Sequence, residues 1–411
     1  MANTNESFPS MENQQLSQPG SKPLEKPPDL EAPDRRWAWL EIDLDAIRRN
    51  LQRFRRHVGP DVLIMAVVKA DGYGHGAVQV ARTALASGAK LLGVANVDEG
   101  IALRKAGIIA PILVLSQPPA ATIGLILHYQ LTPAIDTAEF ALALGEAAAA
   151  IDRVAPFHLK IDTGMNRVGV HYADAPDLLR TIDFHSGLQL QGVFTHFATA
   201  DEVETFEFGR QYDRFLTALE EMRYLGIDPG IVHAANTAAT IRYKQAHFDM
   251  VRIGIGMYGL HPSKVTQPLM ELRPAMNLYA RIIKVKPVPM GEGVSYGLRY
   301  RSPGNVLIAT LPLGYADGFA RELSGKIDVL LHGRRLPQVG TICMDMMMFE
   351  ADQRAKAGKQ TIQPQVGEEV VLVGQDGSEE ITLDELAELL GTINYDMACR
   401  LGMRLERIYV D

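Results

Sequence analysis

From residue 62 to residue 254 the chain repeats one theme eight times: a short apolar run, then a longer stretch with apolar residues three and four apart. The runs are 62–69 (VLIMAVVK), 91–96 (LLGVAN), 112–116 (ILVLS), 131–135 (LTPAI), 157–162 (FHLKID), 190–196 (LQGVFTH), 230–236 (GIVHAAN) and 248–254 (FDMVRIG). Runs of this length read as buried strands, and AVQVARTALASGA and QYDRFLTALEEMRYLG read as helices with one face against a sheet. Strand and helix in alternation argue for parallel βαβ units. Eight cycles in about 240 residues match a TIM (β/α)8 barrel. After Pro274 the texture changes to strand-like segments separated by turn residues, at 278–288, 305–315, 326–333, 338–350 and 368–377, with a short helical LDELAELLG and a last strand in LERIYVD. The expectation is an α/β chain: an N-terminal TIM barrel over 36–275, then a C-terminal mainly β domain over 276–411. Residues 1–35, polar and Pro-rich, read as a disordered tail.

With 411 residues, 47% of them hydrophobic, the chain is large enough for two cored domains. A net charge of −8 and a pI near 5.8 give no cationic field for nucleic acid or anionic membranes. No apolar run is long and unbroken enough to span a bilayer, and 1–35 lacks a signal-peptide core. The two cysteines, Cys343 and Cys399, form no CxxC or Cys/His cluster. Neither a disulfide framework nor a metal site is expected, and a cytoplasmic location fits.

The segment VVKADGYGHG, Val67–Gly76, puts a lysine at the end of the first barrel strand, on the C-terminal rim where barrel active sites form. Its glycines let backbone approach a ligand closely. On the residues alone, Lys69 reads equally as a solvated strand-end lysine followed by ordinary turn glycines. The segment resembles the cofactor-attachment site of the alanine racemase family, and the resemblance runs from Trp37 to Asp411. It implies that Lys69 holds pyridoxal 5'-phosphate (PLP) as an imine and that Tyr73 binds its phosphate; a primary amine suits that reversible chemistry.

The resemblance extends residue by residue. In KIDTGMNRVGV, Arg167 is implied to bind the cofactor hydroxyl and the substrate carboxylate, for which a guanidinium is the natural partner. Lys160 in the same segment is implied to be open to carbamylation, although alone it reads as an exposed strand lysine. Asn166 stands where Gly is frequent, in a turn that tolerates Asn. His196 is implied to pack beside the cofactor ring. Thr237, Gly254, Ile255 and Tyr395 are implied to hold the phosphate, as befits loops after the last strands of a barrel. Arg252 is implied to face the ring nitrogen, where a cation opposes its protonation and weakens the electron sink, favouring prompt reprotonation at Cα.

In GVSYGLRY, Tyr296 is implied to be the second base. Racemisation removes a proton from one face of Cα and returns one to the other, so two opposed bases are needed, here Lys69 and Tyr296. The family supplies this tyrosine from the partner subunit, which implies a homodimer, and Met344 of TICMDM would reach the substrate in the same way. The implied activity is interconversion of L- and D-alanine, feeding peptidoglycan synthesis. Thr341 stands where relatives often carry Arg at the entrance; the other entrance residues, Asp201, Tyr315 and Arg321, are present. A looser entrance, with weak turnover of serine, is expected.

Three rival readings remain. Gly254, Gly256 and Gly259 spell GxGxxG, but the run continues into Leu260, His261 and Pro262 rather than a helix, and 272–291 holds no carboxylate for a ribose after Leu272. A PLP-dependent amino-acid decarboxylase of the same plan would use an acid where Arg252 stands, with Cys343 near the cofactor. A non-enzymatic PLP carrier would need neither Tyr296 nor a second domain.

Overall fold

The computed structural model describes residues 35–351, 362–402 and 404–411. The expected tail therefore lies outside the described residues, apart from Arg35.

The chain begins with β1 (Ala38–Asp43), and Asp43 then caps the helix Leu44–Val58 by accepting from the Ala46 N–H at 2.7 Å. The eight expected strands follow. They are β2 (Leu63–Val67), β3 (Leu91–Val94), β4 (Ile112–Val114), β5 (Thr132–Ile135) and β6 (Ala155–Asp162), then, after a two-residue β7 (Val170–His171), β8 (Leu188–Phe194), β9 (Ile231–His233) and β10 (Met250–Ile253). They pair in parallel in the order β10-β2-β3-β4-β5-β6-β8-β9. Backbone bonds from Asp249 N to Val232 O (3.1 Å) and from Arg252 N to Ala235 O (3.0 Å) draw the ends of that row together. The fold is a parallel eight-stranded barrel with helices around it.

Side chains alternate in and out along each strand, so the lumen fills in layers. The lower layer is mainly apolar, with Met65, Leu113, Ala134, Phe194 and Met250 packed together and the buried His158 beside Ala134 and Phe194. One pleat repeat further on, Lys160 of β6 and Arg252 of β10 stand above it, both buried. A mainly apolar layer below Lys160 and Arg252 sets the buried charge towards the C-terminal end of the barrel.

The second unit is a mainly β sheet. Its strands are β11 (Met276–Arg281), β12 (Lys284–Val288), β15 (Val306–Leu311), β16 (Asp328–Leu331), β17 (Arg334–Val339), β18 (Met347–Ala351), β19 (Glu369–Asp376), β20 (Glu379–Ile381) and β21 (Glu406–Val410), with β13 (Gly293–Val294) and β14 (Tyr300–Arg301) forming a small separate hairpin. Two features differ from the sequence expectation. β1 precedes the barrel but pairs with β11 and β21, so it belongs to the second sheet. The run 338–350 does not continue as one strand: Gly340 adopts φ +72° and the chain loops out to Asp345 before β18 begins. That break pushes Met344 off the sheet.

Candidate active site

β2 ends at Val67, two residues before Lys69, and the chain then takes an unusual path. Ala70, Asp71, Gly72, Tyr73 and Gly74 all have positive φ, between +51° and +81°. Left-handed geometry costs a non-glycine residue about 1–2 kcal/mol, so Ala70, Asp71 and Tyr73 need external support. Glu99 supplies part of it, one carboxylate oxygen accepting from Ala70 N and the other from Ala95 N, each at 2.7 Å. Asp71 accepts from Ala77 N (2.9 Å), and Arg407 donates to Gly74 O (2.8 Å). Gly74 is required as well as convenient, because a Cβ there would lie 2.3 Å from the Ala398 carbonyl oxygen.

Lys69 opens into a cavity of about 580 Å³ at the C-terminal end of the barrel. Tyr73, Lys160, Arg167, His196, Thr237, Arg252, Gly254, Ile255 and Tyr395 line it too. Every barrel residue implied to bind cofactor or substrate is thus brought to one cavity, and Tyr395 reaches it from the helix Asn394–Arg400. Burial, reinforced by the Arg167 charge, lowers the pKa of the Lys69 amine.

Away from Lys69 the wall is a donor cradle. Thr237 Oγ1 accepts from Gly254 N at 3.1 Å, and a Cβ on residue 254 would come 2.7 Å from the Tyr73 hydroxyl. Burial raises the phenol pKa of Tyr73 and of Tyr395, keeping both hydroxyls protonated as donors.

Arg252 is buried and makes five hydrogen bonds from its terminal nitrogens, to the carbonyls of Thr195, His233 and Ala234 and to Nδ1 of His196 and His233, at 2.9–3.1 Å. Burial pulls its pKa down to about 9, which leaves it cationic at neutral pH. Since arginine can only donate, both imidazoles accept at Nδ1, and the His233 Nε2–H donates to His158 Nδ1 at 2.9 Å. Burial and the Arg252 charge hold His196 and His233 well below the ordinary imidazole range and His158 at about 4. The arginine is gripped by neutral acceptors, so its charge faces the cavity uncompensated. Lys160 lies 4.9 Å over the Phe194 ring, and burial with Arg252 and Arg167 nearby lowers its amine pKa strongly. Asn166 adopts φ +56°, the left-handed geometry that Asn tolerates.

Tyr296 and Met344 do not join this cavity. They stand on the second unit, 73% and 52% exposed, beside a separate depression of about 770 Å³ that also contains Tyr315 and Cys343. Three loops meet there. Tyr315 N donates to Cys343 O (3.1 Å), Ala316 N to Met344 O (3.0 Å) and Ser295 Oγ to Thr341 O (2.6 Å). Of the entrance residues, Asp201 lines the barrel cavity, while Tyr315 and Arg321 lie on the second unit. Thr341 is 3% exposed, under Tyr296 rather than at an open rim. Sequence reasoning passed over Glu99, His158 and His233. Glu99 carried a faint signal, as the third residue after the Asn96 helix cap.

Both parts of the chain match models of one family: the alanine racemase N-terminal domain over 42–262 and its C-terminal domain over 275–409. The chain belongs to the alanine racemase family. It is an amino-acid racemase, an isomerase. It is 41% identical to the alanine racemase of Synechocystis over 377 residues, covering 92% of this chain and all of the relative. The crystal structure of alanine racemase from Bacillus anthracis with bound L-Ala-P superimposes with a TM-score of 0.84 at 40% identity, covering 92% of this chain and 95% of that one. A histidine racemase from Leuconostoc mesenteroides subsp. sake follows the same fold at 30% identity and TM-score 0.80, covering 92% and 98%. The architecture thus serves side chains of very different size. Among the described residues of this racemase, no helix is long and apolar enough to cross a membrane, and no cluster of His, Cys, Asp or Glu could hold a metal ion.

Proposed function

We propose that this racemase interconverts L- and D-alanine with PLP held in the barrel cavity, as a homodimer in which each second unit completes the partner's site. In this assignment the barrel, 36–275 without β1, holds the cofactor, and 276–411 presents the second base.

The residues present fit that group. At one end stands a primary amine with a lowered pKa; at the other, the hydroxyls of Tyr73, Thr237 and Tyr395 form a cradle that Gly254 keeps open, the Gly254 N–H itself being taken by Thr237 Oγ1. Ile255 offers a backbone N–H, and His196 stands beside the arginine. PLP supplies an aldehyde for the substrate amine and a ring that draws electrons from Cα. Arg167 pairs with the substrate carboxylate. Lys69 holds or delivers a proton on one face of Cα, working from D-alanine, and Tyr296 of the partner subunit does so on the other, working from L-alanine. Met344 of the partner subunit closes over the substrate. Burial lowers the Lys160 amine pKa strongly, which favours the neutral amine that adds carbon dioxide with loss of a proton, and the resulting carbamate would pair with Arg167.

The observation that carries the reading is Arg252: a buried cation gripped by five neutral acceptors, where a decarboxylase would place an acid. The exposed Tyr296 and Met344 support shared sites and speak against a carrier of PLP alone. D-Alanine made in the cytoplasm would serve peptidoglycan synthesis.

The test is incubation of the PLP-loaded protein with L-alanine in deuterated water, following Cα exchange by NMR and enantiomers by chiral chromatography. Exchange with formation of D-alanine is expected. Exchange with retained configuration would remove the second base, carbon dioxide release would favour the decarboxylase, and serine turnover equal to alanine would remove the alanine preference. Tyr296→Phe is expected to retain cofactor and lose most activity.

A further inference from the structure

Resting on the reading of Tyr296 as the second base, we propose that the Thr341 side chain is the positioning residue for that tyrosine. It would act by holding the Tyr296 carbonyl.

The turn that carries Tyr296 is strained. Ser295 adopts φ +65°, ψ −175°, a region that is nearly glycine-only, and Gly297 and Leu298 follow at φ +74° and +44°. Such geometry persists where surrounding structure over-determines it. Within its own subunit the Tyr296 ring receives little packing, being 73% exposed, so what that subunit contributes to its position comes through its backbone. Two reciprocal hydrogen bonds fix that backbone: Ser295 Oγ donates to Thr341 O at 2.6 Å, and Thr341 Oγ1 donates to Tyr296 O at 2.8 Å. The first uses a carbonyl that any residue at 341 would offer. The second needs a hydroxyl there. Gly340 lets the strands of the clamp meet, since a Cβ on it would lie 2.8 Å from Val294 O and 2.9 Å from Ser295 Cβ. Thr341 itself is buried, so its hydroxyl is spent inside this clamp.

The experiment compares wild type, Thr341→Val, Thr341→Ser and Tyr296→Phe as PLP-loaded holoenzymes. L- and D-alanine have equal free energies, so a weakened tyrosine step must lower kcat/KM equally in both directions. The direction shows in the isotope effects. For Thr341→Val we expect kcat/KM to fall about tenfold, as for loss of one well-placed hydrogen bond. The deuterium effect from Cα-labelled L-alanine should rise, because Tyr296 breaks that bond. The effect from Cα-labelled D-alanine, which Lys69 breaks, should fall towards unity. Thr341→Ser should restore both effects and the rate to within about twofold, since the hydroxyl is kept. Wild-type behaviour of Thr341→Val beside an inactive Tyr296→Phe overturns this inference alone, as does a loss with both isotope effects unchanged or one that Ser does not rescue. Wild-type turnover by Tyr296→Phe overturns the second-base reading and this inference together.

Discussion

Lys69 sits in a field that decides its protonation. Its amine pKa is lowered by burial first and by the Arg167 charge second, with Glu99 acting in the opposite sense. A lowered lysine pKa means that the neutral, nucleophilic amine appears at a pH where a free lysine is still charged. Capture of PLP by the apo chain should therefore rise with pH through a midpoint below 10.5, the ordinary lysine value. Arg167→Leu should move that midpoint upward, and stopped-flow absorbance across a pH series reads it directly; an unmoved midpoint would show that the arginine does not act on the amine. Glu99 offers a second test. Glu99→Ala frees two backbone N–H groups and should cost about 1–3 kcal/mol of stability, with weaker PLP affinity, measurable by thermal melts with and without cofactor. Lys69 was legible because its motif is contiguous in the chain. Glu99 was hardly so: its place in the first turn after the Asn96 cap marks a helix start, but its reach to Ala70 N on a separate segment has no local trace.

At the level of elements, strands buried on both faces announce themselves as apolar runs, so β2 to β10 were legible apart from the two-residue β7, each core strand within a few residues of its expected place. Segments governed by backbone geometry were less so. The helix Asn394–Arg400 is only seven residues long, and the 338–350 run hides a loop behind apolar residues because Gly340 turns a chain whose composition still reads as strand. β1 escaped notice because AWLEID, alone at the start, has no repeating partner in sequence; its partners lie at Met276–Arg281 and Glu406–Val410. The cradle after β10 shows how tightly elements must meet. Gly254→Ala would drive a methyl to within 2.7 Å of the Tyr73 hydroxyl, forcing the phenol or the loop to move. We expect PLP affinity to drop about 10–100-fold, equal to roughly 1.4–2.8 kcal/mol, with secondary structure retained by circular dichroism. Unchanged affinity by fluorescence titration would mean that the phosphate lies elsewhere.

The whole molecule carries a set of buried neutral imidazoles, and they tie its stability to pH. His75 and His158 are held at about 4 by burial, against an ordinary value of 6.5. Both would be protonated in the unfolded chain between pH 6.5 and 4 while staying neutral in the folded one. Each therefore withdraws stability as pH falls through that window, by up to about 1.4 kcal/mol per pH unit, and contributes no slope above it. His75 isolates the effect best, because it lies outside the Arg252 network: its Nδ1–H donates to Tyr73 O at 2.9 Å, and its Nε2 has no partner among the described residues. In His75→Gln the urea midpoint at pH 7.5 should fall, for loss of packing. The further decline between pH 6.5 and 4 should then be shallower than in wild type, by the share of one proton. The comparison needs matched pH series, since carboxylates lower the stability of both proteins at the acid end and cancel in the difference. Parallel curves would mean that His75 takes up its proton while folded. The loop from Lys69 to Gly76 would then have to open in mild acid, and release of PLP over the same pH range would report that opening.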